Sequence, residues 1–374
     1  MGSTNNRVLF VCETKAQIIN AVAIKLSFLR NDIVDVCLVR AVAIPEWYEH
    51  KLKDLAIFER VFSFEIGYNP KRSFISLVKK TIKYTRLVSI VDNLIGKKLR
   101  IYSNVFISGP GSICPAIYYL VRKRCPQIKL SIYEEGICEY LLFENSWNIK
   151  RKIYSKLVYG SYYIDDAAEL YVYDPKMVLS PPKNIKIIQI PSIVNGSFLI
   201  EKINYIFDFK NKEIEEFYKC SFIYFDSCYS DSLLEQNQRN IVESLVKNLG
   251  EKLIVKLHPR SNPQKYYKIG VKLLETKQSV ELILLNAIKN KKNVDSIVFI
   301  SLLSSALFNI KLMLNVEPRM ILLNNLLGSN NKDDAFSKFA ELFVSRYTRN
   351  RIFQPKTINE LNNILSLEFF SNKK

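Results

Sequence analysis

No stretch of this 374-residue chain approaches the 18 or so uninterrupted apolar residues that a membrane-spanning helix needs, although 48% of it is hydrophobic and its mean hydropathy is near zero. That excludes an integral helical membrane protein and predicts a soluble one. The start, MGSTNNRVLFVCETK, has no basic region followed by an apolar stretch, so no signal peptide is expected. Cysteine pairs are missing too. Seven Cys (Cys12, Cys37, Cys114, Cys125, Cys138, Cys220, Cys228) are odd in number, scattered, and never spaced C-x-x-C. This excludes a disulfide framework or zinc site and predicts reduced thiols in a cytoplasmic protein.

The chain has neither G-x-G-x-x-G nor a Walker A sequence, so dinucleotide and triphosphate binding are not supported. It also lacks a D-x-D metal signature, a zinc pattern and a basic, aromatic-interleaved motif of the RNA-recognition type. Histidine is scarce, with only His50 and His258. Acid is scarce relative to base: 54 Lys plus Arg face 36 Asp plus Glu, a net charge of +18. Such an excess implies an anionic partner, whether nucleic acid, lipid or an acidic metabolite. Basic residues cluster in NPKRSFISLVKKTIKYTR (69–86), GKKLR (96–100) and NIKRKIYSK (148–156). The first has the spacing of an amphipathic helix, which suits either a solvated face or attachment to an anionic membrane surface.

What is present is a regular alternation of apolar strands and helices. At about 100–200 residues per domain, the length suggests two domains. RVLFVC (7–12), a helix over 16–30 and VDVCLV (34–39) begin a parallel α/β pattern. NVFIS (104–108), the turn GPGS, a helix over 113–124 and IKLSIY (128–133) continue it. Periodicity fades over the Pro-rich 172–196, which places the interdomain connection near residue 200. A second unit follows: FIYFDS (222–227), a helix over 231–248, KLIVKL (252–257), a helix over 279–291, SIVFIS (296–301), a helix over 304–314, RMILL (319–323) and a final amphipathic helix. The expected architecture is two Rossmann-like α/β domains facing a cleft, 1–199 and 200–374.

Open parallel sheets bind ligands beyond the carboxyl ends of their strands, so polar residues at those ends are the candidates. His258 opens His258-Pro259-Arg260 just after KLIVKL, where an imidazole beside a guanidinium suits a departing phosphate, although a strand-end His is often structural. Ser304 and Ser305 open a helix after SIVFI, where hydroxyls and free N–H groups suit a phosphate, or simple N-capping. Gly109, Gly111 and Ser112 form a lining loop. Glu134 and Glu135 stand side by side before Gly136 at the end of IKLSIY. Their mutual repulsion could raise one pKa and make a base; a solvated pair is the structural alternative.

Glu134-Glu135-Gly136, His258-Pro259-Arg260 and Ser304-Ser305 resemble, in order and spacing, the (Asp/Glu)-(Asp/Glu)-Gly, His-Pro and Ser-rich motifs of bacterial sialyltransferases, and most closely those of glycosyltransferase family 52. The likeness extends to FVCETKAQIINA, which contains Gln17, to KLHPRSNP and to SVELILLNAI. It implies a GT-B fold and inverting transfer from CMP-sialic acid to a galactose or sialic acid hydroxyl of a bacterial capsule or lipooligosaccharide, with no metal and no cofactor. By position it implies that His258, Pro259, Arg260, Ser304 and Ser305 contact the CMP phosphate and that Glu281 holds the ribose. A carboxylate would act as base: Glu134 or Glu135 by the shared motif, Asp226 or Asp231 by the lipooligosaccharide branch. The first domain would take the acceptor and the second the nucleotide sugar. The chain departs from the pattern in having Glu-Glu rather than Asp-Asp, and Ile137-Cys138 after Gly136. The implied setting is cytoplasmic, peripheral to the plasma membrane, without nucleic acid and compatible with a homo-oligomer. The rival expectations are a GT-B transferase using another nucleotide sugar, a basic nucleic-acid-binding protein, and an inert scaffold.

Overall fold

The computed structural model describes residues 6–40, 44–66, 77–109, 113–144, 152–153, 155–157, 159–229, 232–276, 278–302, 304–327, 335–347 and 351–371. The chain divides into two compact units, Met1–Phe207 and Asp208–Lys374. Each is built on one sheet in which every strand pair among the described residues is parallel, and most strand residues are apolar, as two covered faces require.

In the first unit the strands are β1 (Arg7–Cys12), β2 (Ile33–Arg40), β3 (Arg60–Glu65), β4 (Asn104–Ile107), β5 (Lys129–Tyr133), β6 (Ala167–Val172) and β7 (Lys186–Gln189). Their order is β3-β2-β1-β4-β5-β6-β7. The chain therefore builds outward one way from β1, then returns to build the other way from β4. In the second unit β8 (Phe222–Phe225), β9 (Leu253–Lys256), β10 (Lys272–Leu273), β11 (Val298–Ser301), β12 (Arg319–Leu322) and β13 (Ile352–Phe353) lie in the order β10-β9-β8-β11-β12-β13. The same reversal falls between β8 and β11.

β6 and β7 occupy 167–189, where proline suggested a connection without periodicity. β7 is a four-residue edge strand between Pro182 and Pro191, and an edge tolerates neighbouring prolines that a central strand does not. The helix Ser197–Phe207 packs on the helices Lys15–Ser27 and Trp47–Asp54. It buries Ile200, Ile203, Ile206 and Phe207, so the first unit runs through it. The amphipathic segment expected over 69–86 is helical from Leu77 to Ile95, and 67–76 lies outside the described residues. No helix among the described residues is long and apolar enough to cross a membrane.

Phe10 stacks on Phe106 with ring centroids 4.4 Å apart, and Tyr133 meets Phe10 edge-on at 5.5 Å, joining β1, β4 and β5 at the centre of the first sheet. The helix Lys15–Ser27 is closed by Lys25, whose Nζ donates to the carbonyls of Leu29 (2.7 Å), Arg30 (3.0 Å) and Asp32 (3.0 Å) before the chain enters β2. In the second unit Phe222, Tyr224, Val255, Ile300 and Ile321 form the core with Leu361 and Leu365 of the last helix, Ile358–Ser371.

Near the opposite, amino end of the first sheet, fully buried Asp35 faces Arg60 in register across β2 and β3. It accepts from Tyr102 Oη at 2.9 Å and lies 3.8 Å from Arg7 Nη1 and 3.5 Å from Arg60 Nη2. Removing a buried ion-pair partner strands the opposite charge, so Asp35→Ala should lower stability by about 3 kcal/mol, and Tyr102→Phe by about 1 kcal/mol. Urea unfolding midpoints check both, and unchanged midpoints would show that the arginines are adequately solvated without the carboxylate.

Candidate functional site

In the first unit the sheet reverses direction between β1 and β4, the position at which open parallel sheets form a crevice. Glu13 follows β1, Ser108 and Gly109 follow β4, and Glu134-Glu135-Gly136 follow β5. Thr14 caps the next helix by accepting from the Gln17 N–H at 3.3 Å. That start sets Gln17 and Asn20 one turn apart. Gln17 Nε2 donates to Glu135 Oε2 at 2.6 Å, and the Glu13 N–H donates to Gln17 Oε1. Asn20 Nδ2 donates to the Glu134 carbonyl at 2.5 Å, and Asn20 Oδ1 accepts from Tyr173 Oη at 2.5 Å.

The paired glutamates have different surroundings. Glu134 is 1% exposed, and its Oε2 accepts from Tyr140 Oη (2.5 Å) and the Tyr173 N–H (2.7 Å). Burial pushes its pKa up to about 8 even though these hydrogen bonds favour the charged form, and Glu139 and Asp174 push the same way. The expected cause was repulsion by Glu135. Desolvation is instead the largest cause, and Glu134 is enclosed within the first unit. Glu135 is the half-exposed member of the pair.

Two carboxylates that sequence reasoning passed over complete this cluster. Glu139 is fully buried; its Oε2 accepts the N–H groups of Glu135 and Gly136, each at 3.1 Å, and its Oε1 accepts from Ser108 Oγ at 3.1 Å. Burial, then the charge of Glu135, raises it to about 7. Glu13 accepts from the Cys114 N–H (3.2 Å) and thiol (3.0 Å), and burial, with Glu135 adding to it, raises its pKa. Both left a signal. Glu13 directly follows an apolar strand, and Gly136-x-x-Glu139 has the spacing by which a glutamate returns to the first N–H groups of a helical turn.

Gln17, expected to line the site, is buried and holds Glu135. Gly109 is buried at φ +62°, a conformation that favours glycine, and its carbonyl accepts from Tyr163 Oη at 3.3 Å. Gly111, Ser112 and Asp231 lie outside the described residues.

In the second unit Asp226, just past β8, is 2% exposed. Its Oδ1 accepts from Gln238 Nε2 (2.9 Å), Lys265 Nζ (2.7 Å) and Tyr266 Oη (2.7 Å), and its Oδ2 accepts the His258 N–H at 3.1 Å. Asp226 therefore anchors the turn after β9, with three donors on Oδ1 and the His258 N–H on Oδ2. Gln238, Lys265 and Tyr266 were not singled out from sequence, because they converge on Asp226 from segments far apart in the chain. His258 is half-buried, while Pro259 and Arg260 are exposed. Burial and the charge of Arg260 lower the His258 pKa below its ordinary 6.5.

Ser304 and Ser305 are half-buried at the start of the helix Ser305–Leu312; Ser304 makes no side-chain cap, and its N–H donates to Ser301 Oγ at 3.0 Å. Glu281, in the first turn of the helix Val280–Lys289, is buried and accepts from Asn309 Nδ2 at 2.9 Å. That contact ties Glu281 to the helix that Ser304 opens. Among the described residues no group of three or more His, Cys, Asp or Glu is placed to hold a metal ion.

No protein-family model matches this chain, and no curated protein matches it. Solved structures do. Arabidopsis thaliana UGT89C1 complexed with UDP-L-rhamnose is similar with a TM-score of 0.54 at 12% identity, covering 98% of this chain and 90% of that one. A UDP-N-acetylglucosamine 2-epimerase from Rickettsia bellii is similar with a TM-score of 0.53 at 12% identity, covering 98% and 95%. The S. aureus MnaA-UDP co-structure gives 0.51 at 11%, covering 98% and 97%. At these identities the likeness is one of fold: two parallel-sheet α/β domains of the GT-B kind.

The Glu134 environment makes a testable demand on stability. The folded chain holds the Glu134 proton up to about pH 8, whereas an unfolded glutamate releases it near 4.5. Stability from this group is therefore fully present below about 4.5 and is lost as pH rises through about 8. In Glu134→Gln the amide oxygen keeps both acceptor bonds and the titration is gone. Between about pH 5 and pH 9 the native urea midpoint should therefore fall more steeply than that of the variant; parallel curves would mean that Glu134 is ionised throughout.

Proposed function

We propose that this chain is a nucleotide-sugar-dependent enzyme of the GT-B kind that transfers a glycosyl group to an acceptor hydroxyl, using a donor such as a UDP-sugar. The observation that carries the reading lies in the second unit. The His258-Pro259-Arg260 turn and the uncapped Ser304-Ser305 helix start stand beyond β9 and β11, on either side of β8. An imidazole, a guanidinium, two hydroxyls and helix N–H groups are donors suited to phosphate oxygens, and Glu281 is an acceptor suited to ribose hydroxyls. Two of the similar structures are complexes with UDP or UDP-L-rhamnose, and the third is a UDP-N-acetylglucosamine 2-epimerase, which supports a nucleotide carrier of that type over others.

In this reading the second unit takes the donor and the first takes the acceptor, and Glu135 is the base. Glu134 and Asp226 are enclosed and already hydrogen-bonded, whereas Glu135 is half-exposed and is aligned by Gln17. Direct displacement of the nucleotide by an acceptor oxygen inverts the anomeric centre. The departing phosphate gains charge as the sugar becomes oxocarbenium-like, and donors fixed beforehand stabilise that change. The net charge of +18 suits an acceptor carried on an anionic lipid surface, with the enzyme peripheral to that membrane.

A second reading, transfer of sialic acid from CMP-sialic acid to a capsule or lipooligosaccharide glycan, is favoured by the ordered run of Glu134-Glu135-Gly136, His258-Pro259-Arg260 and Ser304-Ser305. One assay separates the two: nucleotide release from UDP-glucose, UDP-N-acetylglucosamine and CMP-sialic acid, with and without sugar acceptors. Acceptor-stimulated UDP release is the expected result, and CMP release alone would favour the second reading. A 2-epimer formed without transfer, or no turnover of any nucleotide sugar, would sink the proposed transfer. Glu135→Gln should lower kcat by about 10²–10⁴-fold, as loss of a general base does, with the urea midpoint retained.

A further inference from the structure

The His258-Pro259-Arg260 stretch constrains more than position. The Ser261 N–H donates to the His258 carbonyl at 2.9 Å, closing a four-residue turn with proline in its second place. Proline has no N–H and its fixed φ suits that place. The first N–H available to the His258 ring is therefore that of Arg260, which donates to Nδ1 at 3.1 Å. A backbone N–H can only donate, so Nδ1 must offer a lone pair, and a neutral imidazole then carries its proton on Nε2.

We propose that His258 serves the site as a neutral imidazole, its Nδ1 held by the Arg260 N–H and its Nε2–H the donor offered to an anionic oxygen of the ligand. Protonating Nδ1 would break the turn's hydrogen bond and set two N–H groups against each other. The groups around the ring act in the same sense. Arg260 in the turn, Lys265 from the 3-10 turn Pro263–Ile269 and Lys256 in β9 disfavour a second positive charge, while Asp226 at the end of β8 opposes them. The Asp226 carboxylate is shared with Lys265, Tyr266, Gln238 and the His258 N–H, so its charge is largely committed elsewhere. His258 therefore stabilises charge by hydrogen bonding and does not release a proton to the leaving group, which departs as the anion.

The ligand half of this inference rests on the function proposed above; the tautomer does not. With only two histidines, nitrogen-15 NMR of the full-length, histidine-labelled protein resolves both rings, and His258→Gln assigns the signal. The expected spectrum has a bare Nδ1 and a protonated Nε2 across neutral pH, with a midpoint below the ordinary value of about 6.5. An Nδ1–H tautomer, or an imidazolium persisting at neutral pH, would overturn the proposal. In the nucleotide-release assay, His258→Ala should lose about 10²–10³-fold in kcat, the usual effect of removing one fixed donor. His258→Gln, which keeps an N–H but cannot release a proton, should retain roughly ten-fold more activity than His258→Ala. Equal losses in the two variants would overturn the donor role. Absence of turnover by the native protein would remove the ligand half alone, with NMR still deciding the tautomer.

Discussion

A carboxylate taken out of water must be given hydrogen-bond donors, and in both units that demand shapes the carboxyl edge of the sheet. Glu139 draws in the N–H groups of Glu135 and Gly136 together with the Ser108 hydroxyl, so the turn after β5 is tied to the end of β4. Asp226 draws in an amine, a phenol, an amide and the His258 N–H, so the turn after β9 is tied to the end of β8. Each fixes the turn beside it, and a site built this way is rigid because loosening it would leave a buried carboxylate without partners.

The arrangement separates roles that look alike in the sequence. Glu134 and Glu135 are adjacent and identical, but alternation along an extended segment sends successive side chains to opposite faces. One is enclosed by Tyr140 and Tyr173; the other meets Gln17 in the crevice. Environment then divides the pair into a structural group with a raised pKa and a half-exposed one suited to proton abstraction. In the second unit the same logic separates Asp226, enclosed by its donors, from His258, whose N–H Asp226 holds.

The fold and the placement of the candidate stretches at strand ends were legible in the sequence because both follow from local pattern. Short, largely apolar runs announced β1, β2, β4, β5, β8, β9, β11 and β12, and the candidate stretches stand just after β5, β9 and β11. β3, β6, β7, β10 and β13 were not read from the sequence: β7, β10 and β13 offer only two to four residues at a sheet edge, and polar Ser63 and Glu169 interrupt β3 and β6. The connection was blurred for a related reason. The helix Ser197–Phe207 belongs to the first unit through what it packs against, and its own residues do not say which side they will cover.

The sequence by itself determined the tandem α/β plan and the positions of the Glu134-Glu135-Gly136, His258-Pro259-Arg260 and Ser304-Ser305 stretches at strand ends, because hydrophobic period and turn chemistry act over a few residues. The tertiary structure decided which glutamate is sealed by Tyr140 and Tyr173, which one Gln17 holds, and which ring nitrogen of His258 is spoken for. Those outcomes depend on desolvation and on which donors the packed chain brings up, some from the same turn, as the Arg260 N–H is for His258, and some from more than a hundred residues away, as Gln17 is for Glu135. Burial and hydrogen-bond partnership are properties of the packed chain, and no local stretch contains them.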